Sequence, residues 1–189
     1  MKNIYILIIL TVLMNSSCRE NKKVWNGDPV GNYPAISDLL ADYFDPFVKD
    51  ALRFRYVKFE NESRDTAIID KKDMPIKKIR KIFEGTNIKK DEFDKKYKID
   101  FVSGEQMEAF TMLYKALPRD LYVRSISILA NRSDREMRSL YIETDDPGFV
   151  SSKKERILLI PGDMIQIQTS STGLFTSEKK IIETYILID

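Results

Sequence analysis

Apolar residues recur at two different periods along this chain, and the change from one period to the other separates its front from its back. After Ser37, read as a helix N-cap with Asp38 in the first turn, Leu39, Leu40, Tyr43, Phe44, Phe47 and Val48 fall on one side of a helix. Pro46 sits inside that stripe and is expected to kink or end the helix near Phe44. The segment from Leu52 to Phe59 then alternates apolar with basic residues, the pattern of a half-buried strand, and Asn61-Glu62-Ser63 turns it toward a partner at Thr66 to Ile69. A second helix is predicted from Asp73 to Glu84, capped by Asp73 and stopped by Gly85. Its Ile76, Ile79, Ile82 and Phe83 share one face, and Lys77, Lys78, Arg80 and Lys81 take the other.

From Tyr97 onward the period drops to two. Strands are predicted at Tyr97 to Val102, Met107 to Ala116, Leu121 to Ala130, Met137 to Thr144, Arg156 to Ile160, Met164 to Thr169 and Ile181 to Ile188. Turn residues separate them, among them Ser103-Gly104, Asn131-Arg132-Ser133-Asp134 and Pro161-Gly162-Asp163, and Asp145-Asp146-Pro147-Gly148 is read as the start of a longer connection. Strands joined by hairpin-length links pair with their sequence neighbours, so the expected fold is α+β: an antiparallel meander forming a curved sheet or half-barrel. Two short helices from the front half pack on it.

The first residues follow neither period. Lys2 precedes an apolar run from Ile4 to Met14, broken only by Thr11, about eleven residues, too short to cross a bilayer but suited to the apolar region of a secretory signal. Residues 19–36 hold Gly27, Pro29, Gly31, Asn32 and Pro34 with few apolar residues and read as a flexible tether.

Charge and composition narrow the chemistry. The net charge of +2 argues against a nucleic-acid partner, although residues 71–98 carry a local excess of basic side chains. The chain has no histidine, which removes the commonest general base and the commonest zinc ligand. Cys18 is its single cysteine, so no intramolecular disulfide is available and packing must hold the fold. No catalytic constellation is legible, and no cofactor is implied.

Cys18, directly after the apolar run and Asn15-Ser16-Ser17, resembles the lipobox cysteine of bacterial lipoproteins. That resemblance implies a signal peptide over 1–17, acylation of Cys18, a tether over 18–36 and one domain over 37–189, held to the envelope membrane by its lipid. Ser139-Leu140-Tyr141-Ile142-Glu143-Thr144 and Met164-Ile165-Gln166-Ile167-Gln168, with the helix-then-meander order, resemble small uncharacterised lipoproteins of Bacteroidota. In architecture the pattern is also similar to periplasmic lipoprotein-carrier half-barrels, which implies an apolar ligand in the interior. Surface-exposed lipoproteins of Bacteroidota often carry an acidic export signal just after the cysteine. Arg19-Glu20-Asn21-Lys22-Lys23 has a single acid among basic residues, so the resemblance implies retention facing the periplasm, at the outer membrane.

Several side chains are candidates for function, each beside a plainer reading. Lys77, Lys78, Arg80 and Lys81 offer a contact for anionic lipid or a partner, or a solvated helix face. Tyr43, Phe44 and Phe47 line a ligand site or simply fill the core. Glu143, Asp145 and Asp146 carry oxygen ligands without the spacing of a calcium loop, and Glu105 with Glu108 is no more specific. Gln166 and Gln168 share one strand face, as a recognition groove or a solvated surface. Asp65-Thr66-Ala67 resembles an O-glycosylation acceptor of Bacteroidota. The function these readings favour is a non-enzymatic envelope lipoprotein that binds a protein partner or serves envelope assembly. Binding of lipid or another apolar ligand in a half-barrel cavity is the alternative, and a two-carboxylate glycan hydrolase the least favoured.

Overall fold

The structure is a computed structural model that describes residues 36–50, 52–88, 96–103 and 108–188. Cys18 and the signal and tether readings lie outside the described residues, as does Glu105.

The first helix, α1, runs without a break through Ile36–Leu39, Leu40–Phe44 and Asp45–Asp50, and its middle part is a π turn. Of the kink or end that the sequence suggests near Phe44, the end does not occur, and the irregularity there is the π turn itself. Proline lacks an amide hydrogen, and the ladder widens just before it: the Asp45 N–H donates to the Leu40 carbonyl, one residue further back than in an α-helix. The turn absorbs the proline and keeps Leu40, Phe44 and Phe47 buried on one side.

Strands β1 (Arg53–Glu60) and β2 (Ser63–Asp70) form a hairpin in register, turned at Asn61 with φ of 56°. A 3-10 turn at Lys71–Asp73 leads into helix α2 (Ile76–Glu84). Asp73 is not its cap: Pro75 precedes the first turn and no side chain caps it. Gly85 follows the helix as expected but in right-handed geometry, and the chain closes by the Thr86 N–H donating to the Phe83 carbonyl.

Seven strands follow: β3 (Tyr97–Val102), β4 (Ala109–Ala116), β5 (Val123–Asn131), β6 (Met137–Pro147), β7 (Ser151–Ile160), β8 (Met164–Gly173) and β9 (Lys179–Ile188). They pair consecutively and antiparallel, as the meander reading requires. The whole is one nine-stranded sheet in the order β2-β1-β9-β8-β7-β6-β5-β4-β3. The sheet is open, with β2 and β3 as its edges. In one respect the simple meander fails. The β1–β2 hairpin joins the far side of β9, with Arg53 opposite Ile188 and Glu60 opposite Ile181. The connection through α2 carries the chain from one sheet edge to the other.

Alternation sets two faces. On the inner face, Phe54, Tyr185, Ile165, Leu159, Leu140, Ile128 and Met112 are buried and belong to the core cluster that also takes in both helices. Phe47 stacks against Phe54 with ring centroids 5.5 Å apart, and Phe44 against Phe83 at 5.9 Å, so α1 touches both the sheet and α2. Ile79 and Phe83 are fully buried, and Ile76 and Ile82 pack at the margin, as the amphipathic stripe of α2 predicts. The outer face carries polar cross-strand pairs, including Gln166 with Thr184 and Glu143 with Arg156.

Candidate functional site

An open sheet with helices across it can enclose a ligand on its inner face. The centre of that face is packed: Phe44, Phe54, Ile79, Phe83, Ile126, Ile142 and Ile157 are each fully buried. Of the sequence candidates, Phe44 and Phe47 are core, and Tyr43 is partly buried with its hydroxyl accepting from the Met137 N–H at 3.3 Å. Burial raises the Tyr43 pKa above the ordinary phenol value, so the hydroxyl stays protonated.

Toward the ends of β1, β7, β8 and β9 this same face turns polar. Glu183 sits between two tyrosines: Tyr56 donates to its Oε1 at 3.2 Å and Tyr185 at 3.4 Å, while Lys78 of α2 pairs with Oε2 at 3.0 Å. Burial, then the Glu183 charge, pushes Tyr56 up to about 12 and raises Tyr185 further. Glu60 accepts from Lys179 at 2.6 Å and Lys58 at 2.5 Å, and these bonds hold its carboxyl down at about 2. Glu155, almost wholly buried, pairs with Lys153 at 2.8 Å and accepts from the Tyr122 hydroxyl at 3.4 Å. Each of these carboxylates is paired with lysine: Lys78–Glu183 ties α2 to β9 and Lys179–Glu60 ties β9 to β1, whereas Lys153 lies on the same strand as Glu155.

The basic face of α2 divides on inspection. Arg80 forks onto Asp45 of α1, with Nη2 to Oδ1 at 2.5 Å and Nη1 to Oδ2 at 3.4 Å, and its guanidinium lies 5.8 Å above the Phe44 ring. Lys78 is committed to Glu183. Lys77 and Lys81 point to solvent. Two of the four side chains thus hold the helix in place.

Glu143, Asp145 and Asp146 lie within β6 rather than in a loop, so successive side chains point to opposite faces. Glu143 pairs with Arg156 at 3.1 Å and Asp145 with Lys154 at 3.4 Å, both across to β7. Among the described residues no group of three potential metal ligands converges. Gln166 and Gln168 do share a face, the outer one, where the Gln166 amide donates to the Thr184 hydroxyl at 3.1 Å. Open polar clefts occur at both ends of the sheet, one lined by Glu60, Ser171, Thr172 and Lys179, the other by Glu108, Asn131 and Arg138.

One surface feature escaped sequence reading altogether. Strands β6 to β9 run past their neighbours, and the two turns at that end expose large apolar side chains. Phe149 and Val150 occupy the β6–β7 turn, Leu174 and Phe175 the β8–β9 turn, with Phe149 97 % and Phe175 98 % exposed. The only signal in the sequence is the run of apolar residues where a turn should be polar.

No family model matches the chain, and neither a curated protein nor a solved structure matches it.

Proposed function

We propose that this chain is a membrane-anchored, non-enzymatic binding module of the cell envelope that engages a protein partner through its outer surface. The observation that carries this reading is the filling of the inner face: Phe44, Phe47, Ile79 and Phe83 occupy the space that a carried acyl chain would need. A carrier requires an apolar hollow of its own, whereas an interaction module requires a packed core. The lysine-paired state of Glu60, Glu155 and Glu183 supports a structural use of the inner-face carboxylates over an acid–base pair. Anchoring comes from the likeness of Cys18 and its preceding residues to a lipobox.

Native mass spectrometry of the protein released from membranes in mild detergent, followed by organic extraction, tests both halves. The expected mass is a chain that begins at Cys18 with acyl groups attached and holds no further apolar compound. An unprocessed chain would sink the anchor, and a discrete lipid recovered only after extraction would return the interior-ligand reading.

A further inference from the structure

The paired turns at one end of the sheet have a build that a chance exposure of apolar residues does not require. At the row that joins Glu60, Ile181, Thr169, Glu155, Thr144 and Val123, strands β1 and β5 stop. Strands β7 and β8 continue together for four more residues, to Ser151 opposite Gly173, which projects the turns about 13 Å beyond the row. The turns are fixed in shape. A Cβ on Gly148 would meet the Ser151 backbone carbonyl oxygen at 2.4 Å, so that position needs glycine for close approach, and one on Gly173 would press on the Thr176 Oγ1 at 2.7 Å. Thr176 accepts from the Gly173 N–H at 3.0 Å and returns its own N–H to the Gly173 carbonyl at 3.3 Å. The Leu174 N–H donates to the Val150 carbonyl at 3.1 Å, which ties the two turns into one tip.

On that tip Phe149, Val150, Leu174 and Phe175 are all exposed, and Glu178 is the one charged residue between the ends of the four strands. Charges resume behind them, where Lys153, Lys154 and Lys179 pair with Glu155, Asp145 and Glu60. A projecting tip of apolar residues with a single charge matches the interface of a bilayer, where exposed Phe and Leu side chains bury at the boundary between headgroups and acyl chains. A protein partner would have to supply a pocket for each ring, whereas a bilayer accepts a convex wedge as it is.

We infer that the joined β6–β7 and β8–β9 turns insert Phe149 and Phe175 into the lipid surface, a second membrane contact besides the N-terminal anchor. The inference shares with the functional reading only the nearness of a bilayer. Residues 18–36 fully extended span about 60 Å, while a ten-residue strand spans about 33 Å, so an anchor at Cys18 leaves the tip free to reach the same membrane. Because the charges behind the tip are largely paired, insertion is apolar in origin and insensitive to salt.

The test places a single tryptophan in the full-length chain. Trp25→Phe removes the native one, and Phe149→Trp, Phe175→Trp or, as a control at the opposite end of the sheet, Leu52→Trp adds the reporter. Vesicles of phosphatidylethanolamine and phosphatidylglycerol carrying brominated acyl chains supply the quencher. The expected result is blue-shifted, quenched emission from positions 149 and 175, unchanged by high salt, and unquenched emission from position 52. Tip tryptophans that stay solvent-exposed while the chain co-sediments with vesicles would overturn the inference and leave the anchor intact. So would equal quenching at all three positions, an absence of vesicle binding, or tip protection that arises only when an envelope protein is added. The acylation state of Cys18 is read separately by mass.

Discussion

Replacing Phe83 by alanine probes whether α2 is a permanent part of the core or a removable cover. The ring is fully buried and lies 5.9 Å from that of Phe44, so the substitution empties the junction of both helices and the sheet. Loss of the buried side chain costs about 2–3 kcal/mol in transfer free energy. A residual cavity on the order of 60 Å³, at about 24 cal/mol per Å³, adds about 1.5 kcal/mol. The expected loss is about 4 kcal/mol, a large part of the stability of an ordinary domain. With a urea slope of about 2 kcal/mol per molar, the unfolding midpoint falls by about 2 M at unchanged slope. Equilibrium urea unfolding followed by far-UV circular dichroism measures it. Because the alanine variant is at risk of not folding, Phe83→Leu serves beside it, with an expected loss of about 1 kcal/mol. An alanine variant that loses less than about 1 kcal/mol would refute the reasoning, since α2 would then not be seated on the inner face and the interior would be open to a ligand.

Two further outcomes follow from local geometry. Tyr56 is held protonated by burial and by Glu183, with its pKa raised to about 12 from the usual 10.0, so the stability it contributes is complete below pH 10 and is lost as the pH rises through 12; Tyr56→Phe should flatten the alkaline limb of the stability–pH curve, and an unaltered limb would contradict the assignment. Gly148→Ala forces its new methyl against the Ser151 carbonyl oxygen and should cost about 1–3 kcal/mol in thermal or urea unfolding, whereas Phe149→Ser and Phe175→Ser, at almost fully exposed positions, should stay within about 0.5 kcal/mol of the parent.

The parts of this fold that the sequence made legible are those set by local periodicity. The alternation of Tyr97 to Val102 gave a strand with those very bounds, and the Ile79 and Phe83 stripe gave a helix buried on that side. What escaped were features fixed by distant partners. That β1 pairs with β9 depends on residues more than a hundred positions apart, which no local pattern encodes. Asp145 to Pro147, Ser151 to Glu155 and Ser170 to Gly173 are polar, and only their cross-strand pairing makes them strand. Local pattern therefore predicts shorter hairpins, without the projecting tip that carries Phe149 and Phe175. Similarly, Lys78 and Arg80 looked free because their acidic partners, Glu183 and Asp45, lie on other elements.

The most direct test of the account is native-state amide hydrogen exchange across α1 and α2, with the buried strand amides near Ile126, Ile142 and Ile157 as reference. If the helices are the plug of a closed interior, their buried amides exchange only with global unfolding, at the same free energy as those strands. Helix amides that exchange far faster, through a partial opening that leaves the sheet protected, would contradict the filled interior and make the inner face a place where an apolar ligand enters.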